Sequence, residues 1–256
     1  VLVIGDLMVD HYLWGSCERI SPEAPVQVIN VDNESTVLGG AGNVVNNLHT
    51  LGAEVDIISV IGTCKTSEEL KNLLSIISVD TKYLITQKDR LTSKKSRVIA
   101  SQQQVVRFDL ENTSAISNQS QTAILNTFKE IVNSYDVILI SDYGKGLLTH
   151  GLTQSLINVA NENNKKLLVD PKGSDYSKYK DAFLLTPNKK EAFEATKIAI
   201  KDNESLTKAL ISLKEKCNLS CSLITLSEEG VAVFDNELRI HPTVAREIFD
   251  VTGAGD

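Results

Sequence analysis

Seven consecutive residues, Asp250-Val251-Thr252-Gly253-Ala254-Gly255-Asp256, give the strongest indication of fold and chemistry in this sequence. The Gly-Ala-Gly run lacks bulky side chains, so successive backbone N–H groups can point at one small volume and hold an anion, especially at the start of a helix. A carboxylate beside a bound phosphate is useful if it takes a proton from a hydroxyl that then attacks the phosphate. The stretch therefore indicates phosphoryl transfer, although a glycine-rich turn with a capping aspartate is the simpler alternative.

The composition is that of an ordinary globular protein. The 256 residues are 42% hydrophobic and 23% charged, which allows one large domain, or one domain with a small appendage. The formal charge of −7 and the lack of a basic block argue against nucleic-acid binding, and 5% aromatic residues are too few for a base-stacking surface. No apolar run approaches the roughly 18 residues that a membrane span needs.

The cysteines and the first residues indicate a cytoplasmic protein. Residues 1–4 are an apolar run followed at once by Gly5-Asp6, which predicts a buried strand rather than a signal peptide. The cysteines have no second Cys or His pair at zinc spacing, so we expect reduced thiols. They are Cys17, Cys64, Cys217 and Cys221.

Strand and helix patterns alternate along the chain, with short apolar runs for strands and a 3.6-residue apolar period for helices. The predicted strands are 1–4, 55–61, 137–140, 166–169, 183–185, 223–226 and 231–234. The predicted helices begin near residue 43 and at 67–77, 123–132, 152–160 and 206–213. This alternation predicts an α/β fold with a mostly parallel central sheet flanked by helices, in a single domain over residues 1–256 that is incomplete at its C-terminal end.

Two further segments, about 11–31 and 96–109, alternate like half-exposed strands. Pro22 and Pro25 exclude a helix between the first two of these strands and suit an edge or a connection. We expect the segments to pair into a small sheet outside the main domain. A sheet with an apolar face left over is a lid over a site, a dimer surface, or both.

Three polar segments, 141–146, 170–173 and 186–191, directly follow predicted strands. Because ligands bind beyond the carboxyl ends of parallel strands, we expect these segments to meet at one edge of the sheet, together with Asp6 or Asp10 and with Asp256. The stretch 39–43, Gly-Gly-Ala-Gly-Asn, opens a helix and would let a sugar approach the backbone. A strand-to-helix connection, or a tight turn with a cap, is the structural alternative for each segment.

Candidate ligand groups follow from the chemistry of these segments. Asn188 and Glu191 lie three residues apart at a helix start, which suits Mg²⁺ held mainly through water, although Glu191 could instead serve the helix dipole. Lys172 could meet a phosphate or be a solvated lysine. Thr225, Ser227 and Gly230 follow a strand near the expected nucleotide side.

The stretches 39–43 and 250–256 resemble the two signatures of the ribokinase-like (PfkB) sugar kinases, and the resemblance covers essentially the whole chain. Segments 19–25, 141–146, 170–173 and 185–188 further resemble the branch that acts on D-glycero-β-D-manno-heptose 7-phosphate. The resemblance implies an ATP- and Mg²⁺-dependent kinase that makes heptose 1,7-bisphosphate on the route to ADP-heptose for the lipopolysaccharide core. In many members an adenylyltransferase domain follows the kinase.

The resemblance also implies a role for each matched residue. Asp256 is the expected base for the anomeric hydroxyl, and the anion hole is formed by Gly253, Ala254 and Gly255. The Asn-x-x-Glu element near the ATP phosphates and Mg²⁺ is Asn188, Lys189, Lys190 and Glu191. The candidate sugar ligands are Asp10, Gly39, Gly40, Asn43 and Asp142, and those for the 7-phosphate are Arg19, Arg107 and Lys172.

Two departures from the family pattern and three other functions bear on this interpretation. Cys64 stands where the family commonly has Asp, and Met8 stands where kinases such as ribokinase have Asn. The alternatives are a kinase of the same family for another sugar, sugar phosphate or nucleoside, and a non-catalytic sugar or nucleotide sensor. A Rossmann dehydrogenase is disfavoured because no Gly-x-Gly-x-x-Gly follows the first strand. We also expect a homodimer formed through the small sheets.

Overall fold

The computed structural model describes residues 1–243; the predicted anion hole and base, Gly253, Ala254, Gly255 and Asp256, lie outside the described residues. The strands are β1 (Leu2–Gly5), β2 (Leu7–Ile20), β3 (Gln27–Gly40), β4 (Asp56–Ile61), β5 (Leu84–Thr86), β6 (Ser93–Ala100), β7 (Gln103–Leu110), β8 (Val137–Ser141), β9 (Lys166–Asp170), β10 (Leu184–Leu185), β11 (Ser222–Thr225), β12 (Val231–Phe234) and β13 (Leu238–His241). The helices are α1 (Ala41–Thr50), α2 (Lys65–Ile76), α3 (Asn118–Ile131), α4 (His150–Glu162), α5 (Lys189–Thr196) and α6 (Asn203–Cys217).

The central sheet has six strands in the order β10-β9-β8-β1-β4-β5, and every pairing in it is parallel. β1 lies inside the sheet: β4 pairs with it on one side, and β8, later in the chain, pairs with it on the other. The prediction of a mostly parallel sheet flanked by helices is therefore confirmed.

The two faces of this sheet bury different helices, as the two-residue period of a strand requires. Leu2 and Ile4 of β1 pack in one cluster with residues of α3, α4 and α6, including Phe128 and Leu156. Val3 points the other way, into a second cluster with residues of α1 and α2. The fold is thus three layers, with the central sheet buried between two layers of helices.

A second sheet, which we call the side sheet, has the strand order β3-β2-β6-β7. β2 runs antiparallel to β3 and parallel to β6, and β6 runs antiparallel to β7. The expected pairing of segments 11–31 and 96–109 is present, but β2 and β3 are each 14 residues long and reach back to Leu7 and Gly40. The sequence analysis missed the full length of β3 because residues 32–36 are polar. They form strand because they pair with β2.

A third sheet, β11-β12-β13, is antiparallel and adjoins the central sheet at β10. The link is local: Thr225 donates its N–H to the Pro187 carbonyl at 3.0 Å, and Asn188 and Thr225 form an isolated parallel bridge. This link brings the end of β11 to the carboxyl edge of the central sheet.

We expect Gly5→Ala to destabilise the protein, because a Cβ at residue 5 would lie 2.3 Å from the Ser141 carbonyl oxygen and force β1 and β8 apart. Overpacking of this kind costs about 1–3 kcal/mol, to be measured as the free energy of unfolding in urea. Gly151→Ala is the matched control, because nothing lies within 4 Å of its Cβ position in α4. An equal loss of stability in both variants would contradict the prediction.

Candidate functional site

The three polar segments meet at the carboxyl edge of the central sheet, where they line a cavity of about 170 Å³. The segments follow β8, β9 and β10, which are neighbours in the sheet, so their ends are brought together by the strand order. The lining residues are Asp142, Tyr143, Asp170, Pro171, Lys172, Thr186, Asn188, Glu191 and Thr225. The cavity is polar and lies where ligands bind in open α/β sheets.

Asp6, at the end of β1, is buried and anchors the first of these segments. Its Oδ2 accepts the N–H groups of Tyr143 and Lys145, both at 3.0 Å, and its Oδ1 accepts that of Leu147 at 3.3 Å. Burial raises the pKa of Asp6, and the nearby charge of Asp142 adds to this, although the N–H donors oppose it. Both carboxylate oxygens of Asp6 are thus engaged below the surface, so Asp6 shapes the site from within rather than meeting a sugar hydroxyl.

Asn188 and Glu191 form a capping box at the start of α5. Asn188 Oδ1 accepts the Glu191 N–H at 3.0 Å, and Glu191 Oε2 accepts the Asn188 N–H at 3.1 Å. The second carboxylate oxygen of Glu191, Oε1, lies 3.5 Å from the Lys172 ammonium. The structural alternative therefore holds, and because the cap uses only one of the two carboxylate oxygens, a ligand role for Oε1 is compatible with it.

This arrangement fits a Mg²⁺ ion that keeps most of its water. Glu191 Oε1 and the Asp170 carboxylate belong to residues that line the same cavity, and Mg²⁺ in kinases is bound by one or two carboxylates plus substrate phosphates. Among residues 1–243, no group of three His, Cys, Asp or Glu side chains forms a cage for a metal. The donor set suits an ion shared with a nucleotide.

The other predicted nucleotide residues differ in their contacts, and of these only Thr225 lines the cavity. Lys189 pairs with Glu229, and Lys190 pairs with Glu194 at 3.9 Å. Ser227 is exposed in the turn after β11. Gly230 has a φ of +100°, and a Cβ there would lie 2.0 Å from the His241 carbonyl oxygen, so this glycine closes the turn against β13.

On the sugar side, the structure brings Asp10 and Gly39 into contact. A Cβ at Gly39 would lie 2.3 Å from Asp10 Oδ2, so the absence of a side chain lets the carboxylate rest on the backbone of β3. Gly40 has a φ of +56° and makes the turn into α1, which carries Asn43 in its first turn. Met8 is buried under this glycine pair, so its side chain fills space rather than meeting a hydroxyl.

Arg97, which the sequence analysis did not single out, contacts the predicted site residue Asp10. Its Nη1 donates to Asp10 Oδ1, and its guanidinium lies 5.3 Å from the Tyr12 ring centre. Arg107 faces Arg97 across the β6–β7 pair, so both lie on the face of the side sheet that carries Asp10. The alternation of side chains in β6 predicts that Arg97 lies on the opposite face from its neighbours Ser96 and Val98. The pairing of β6 with β2 is needed to show that this face also carries Asp10.

Arg19 lies elsewhere. It is exposed near the end of β2, nine residues beyond Asp10, which corresponds to roughly 30 Å along an extended strand. Within one chain, the structure does not bring Arg19 and Asp10 together. Lys172 lines the cavity with Asn188 and Glu191, so it lies on the expected nucleotide side.

Comparison with known proteins gives a family match and close relatives. The family described as pfkB family carbohydrate kinase matches residues 1–256. A protein of Aliarcobacter butzleri (strain RM4018) called Bifunctional protein HldE is 63% identical over 256 residues, which are 100% of this chain and 54% of that protein. The protein of the same name from Sulfurimonas denitrificans (strain ATCC 33889 / DSM 1251) is 58% identical, with the same coverage. The chain thus spans about half the length of the curated relatives it matches.

Solved structures show the same fold. The ribokinase of Arabidopsis thaliana, complexed with ribose and ATP, superposes with a TM-score of 0.77 at 16% identity and covers 99% of this chain and 81% of its own. Phosphofructokinase-2 from Escherichia coli, in complex with potassium, has a TM-score of 0.75 at 18% identity, covering 96% and 79%. The fold is therefore ribokinase-like. None of the helices within residues 1–243 is both long and apolar enough to cross a membrane.

We expect Asp6→Asn to lower the free energy of unfolding by about 1–3 kcal/mol, because the new amide would point its NH₂ at the Leu147 N–H and leave a buried donor unsatisfied. Asp6 has a raised pKa, so its contribution favours folding below pH 3.8 and is lost as the pH rises towards the folded pKa. The stability difference between wild type and Asp6→Asn should therefore shrink as the pH rises through this window.

Urea unfolding of both proteins at a series of acidic pH values measures this difference. Asp89→Asn is the control, because Asp89 is exposed. A pH-independent difference would be evidence against the raised pKa of Asp6, and an equal effect at residue 89 would be evidence against its anchoring role.

Proposed function

The chain belongs to the pfkB family of carbohydrate kinases, and we propose that it transfers a phosphoryl group from ATP to the anomeric C1 hydroxyl of D-glycero-β-D-manno-heptose 7-phosphate. The product is the 1,7-bisphosphate, an intermediate towards ADP-heptose and the lipopolysaccharide core. We further propose that this occurs in the cytoplasm.

One observation carries the assignment to this branch of the family. Four segments resemble the heptose 7-phosphate kinases, and three of them, 141–146, 170–173 and 185–188, contribute residues to the same cavity at the sheet edge. Segments that carry a resemblance for unrelated structural reasons have no need to meet in one place. The high identity to proteins named HldE over all of this chain supports the same assignment.

The sugar side of the mechanism uses residues of β2, β3 and α1. Asp10 and Asn43 would bind sugar hydroxyls, and Gly39 and Gly40 would let the sugar approach the backbone. The Asp256 carboxylate would take the proton of the C1 hydroxyl, whose oxygen then attacks the γ-phosphorus of ATP while ADP leaves. Of the candidates for the 7-phosphate, Arg107 shares the face of Asp10, and the contact of Arg97 with Asp10 adds Arg97. Arg19 lies far along β2 and Lys172 lies with the nucleotide residues, so neither is preferred for this group.

On the nucleotide side, the amides of Gly253, Ala254 and Gly255 would hold the transferred phosphoryl group. Asn188, Glu191 and Thr225 would lie along the ATP phosphates, with Glu191 Oε1 turned to the cavity. Mg²⁺, bound near Glu191, would neutralise charge on those phosphates. Positioning and electrostatics supply most of the rate in such transfers, so no phospho-enzyme is required.

The rest of the protein is part of this proposal. The chain spans about half of relatives that are called bifunctional, and we propose that an adenylyltransferase domain follows the kinase. The four cysteines carry free thiols, which supports a cytoplasmic location.

We also propose that the side sheet serves as a lid and joins two copies of the chain. Val106, Phe108 and Leu110 of β7 alternate with Arg107 and Asp109, so one face of this edge strand is apolar and exposed. The polar face is the one shared with Asp10. An exposed apolar face on an edge strand favours association with a second sheet.

We expect the full-length protein to release ADP fastest with D-glycero-β-D-manno-heptose 7-phosphate in a coupled assay. The same heptose without its 7-phosphate should lose about 10- to 100-fold in kcat/KM, because charge-assisted contacts of about 1.5–3 kcal/mol are lost. The panel also contains ribose, fructose 6-phosphate and adenosine. Faster turnover of one of these indicates another kinase of the family, and tight sugar binding without ADP release indicates a sensor.

Asp256→Asn is the variant that links this activity to the proposed base. We expect kcat to fall by about 10²–10⁴-fold with sugar affinity retained, because the base acts in the chemical step. Asp89→Asn, an exposed carboxylate, should behave like wild type. Near-normal turnover of Asp256→Asn would remove Asp256 from this role.

We expect Phe108→Glu to convert a dimer into a monomer in light scattering, because a charge would be buried in the apolar face of β7. Phe108 is 53% exposed in the single chain. Leu51→Glu is the matched control, since Leu51 is 83% exposed and lies after α1, away from the side sheet. A wild-type monomer, or a dimer that survives Phe108→Glu, would rule out this interface.

A further inference from the structure

Tyr179 lies behind the cavity and connects two of its walls. It ends the 3-10 turn Ser177–Tyr179 and is fully buried. Its hydroxyl donates to Asp142 Oδ2 at 2.7 Å and accepts the backbone N–H of Lys172 at 2.9 Å. One side-chain hydroxyl thus joins the segment after β8 to the segment after β9.

Asp142 is held so completely that it is an anchor rather than a free ligand. Its side chain is 1% exposed, and its Oδ2 also accepts the Lys178 ammonium at 2.6 Å. Its Oδ1 accepts the Gly144 N–H at 2.7 Å. A buried carboxylate is stable only when paired and hydrogen-bonded in this way. Asp142 is therefore held rigidly, and through their hydrogen bond it fixes the position of the Tyr179 hydroxyl.

The Tyr179 hydroxyl in turn holds Lys172. Its backbone N–H is fixed by Tyr179, and its Cγ would lie 3.6 Å from a Cβ at Gly144, so the stem runs along that glycine. Its ammonium lies 3.5 Å from Glu191 Oε1 at the cavity wall. The contacts run from Asp142 through Tyr179 and Lys172 to Glu191.

We propose that Tyr179 is a positioning residue of the kinase site. By holding the Lys172 backbone it places the Lys172 ammonium beside Glu191, where the ammonium binds the nucleotide phosphates. The kinetic part of this proposal rests on the proposed function. Tyr179 itself touches no substrate, since it is buried beneath the segment that it holds.

The protonation of Tyr179 suits this role. Burial, and then the negative charge of Asp142, raises the pKa of its hydroxyl well above the ordinary value. The hydroxyl therefore keeps its proton for Asp142 throughout the physiological range and leaves its lone pairs to the Lys172 N–H.

Tyr176 provides a matched control within the same segment. Its ring packs edge-to-face on that of Tyr179, with centroids 5.7 Å apart, and it is also buried. Among the residues that the structure describes, its hydroxyl has no hydrogen-bond partner. Removing the hydroxyl from Tyr176 or Tyr179 is the same chemical change, but only at Tyr179 does it break a connection.

The kinetic test compares Tyr179→Phe with Tyr176→Phe in the full-length protein. We expect Tyr179→Phe to lower kcat/KM for ATP by about 10- to 100-fold, because small misplacements of a binding group are costly. Tyr176→Phe should stay within about twofold of wild type. Each variant is also made in a Lys172→Met background, where Tyr179→Phe should cost no more than about twofold further, because its effect passes through Lys172.

Amide hydrogen exchange tests the same connection without turnover. In the ligand-free protein, the Lys172 amide should exchange about tenfold faster in Tyr179→Phe, which corresponds to about 1.4 kcal/mol, and at the wild-type rate in Tyr176→Phe. Unchanged exchange in Tyr179→Phe overturns the proposal. Faster exchange with fully additive kinetic effects overturns the route through Lys172. A wild-type protein that phosphorylates no sugar overturns the proposed function instead, and the exchange rates then decide the role of Tyr179.

Discussion

A single buried residue, Asp6, connects the segment after β8 with the start of α1. The side chain of Asp6 accepts three N–H groups from the segment after β8, and its backbone carbonyl accepts the N–H of Ala41 at the start of α1. The sugar-side turn and the nucleotide-side segment are thus fixed to the same residue, at the end of the central strand. An amide in its place would offer one acceptor oxygen and an NH₂ group that cannot accept an N–H, so the requirement for two acceptor oxygens is structural. Its position, rather than any contact with substrate, makes Asp6 indispensable to the arrangement.

At the edge of the central sheet, the residues that stabilise the local structure also line the cavity. Glu191 caps α5 with one carboxylate oxygen and approaches the Lys172 ammonium with the other. Asn188 caps the same helix, and both residues line the cavity. Asp142 is fully used by its neighbours. A capped helix start holds its first-turn side chains in fixed directions, which a binding site needs. The capping contacts therefore fix the directions of the same side chains for which we propose a ligand role.

The sequence predicted what depends on local pattern and missed what depends on distant pairing. The central sheet and the meeting of the polar segments follow from apolar runs and from the rule that parallel strands end at one edge. The contacts of Tyr179 with Asp142 and of Arg97 with Asp10 span 37 and 87 residues. No periodicity in the chain relates such positions, and the polar run 32–36 likewise became strand only through its partner β2. The residues that fix the site are thus less visible in the sequence than those that line it.

The charged side chains around the site form ion pairs that orient each other more than they stabilise the fold. Arg97 meets Asp10, Lys172 meets Glu191, and Lys145 meets Glu111 at 2.6 Å, where the ammonium lowers the pKa of the Glu111 carboxyl. The last pair joins the segment after β8 to the chain just beyond the side sheet. Partly buried pairs repay little more than their desolvation, so their value lies in orientation. Each of the three joins different elements, and the Lys145–Glu111 pair is the one that ties the edge of the central sheet to the end of the side sheet.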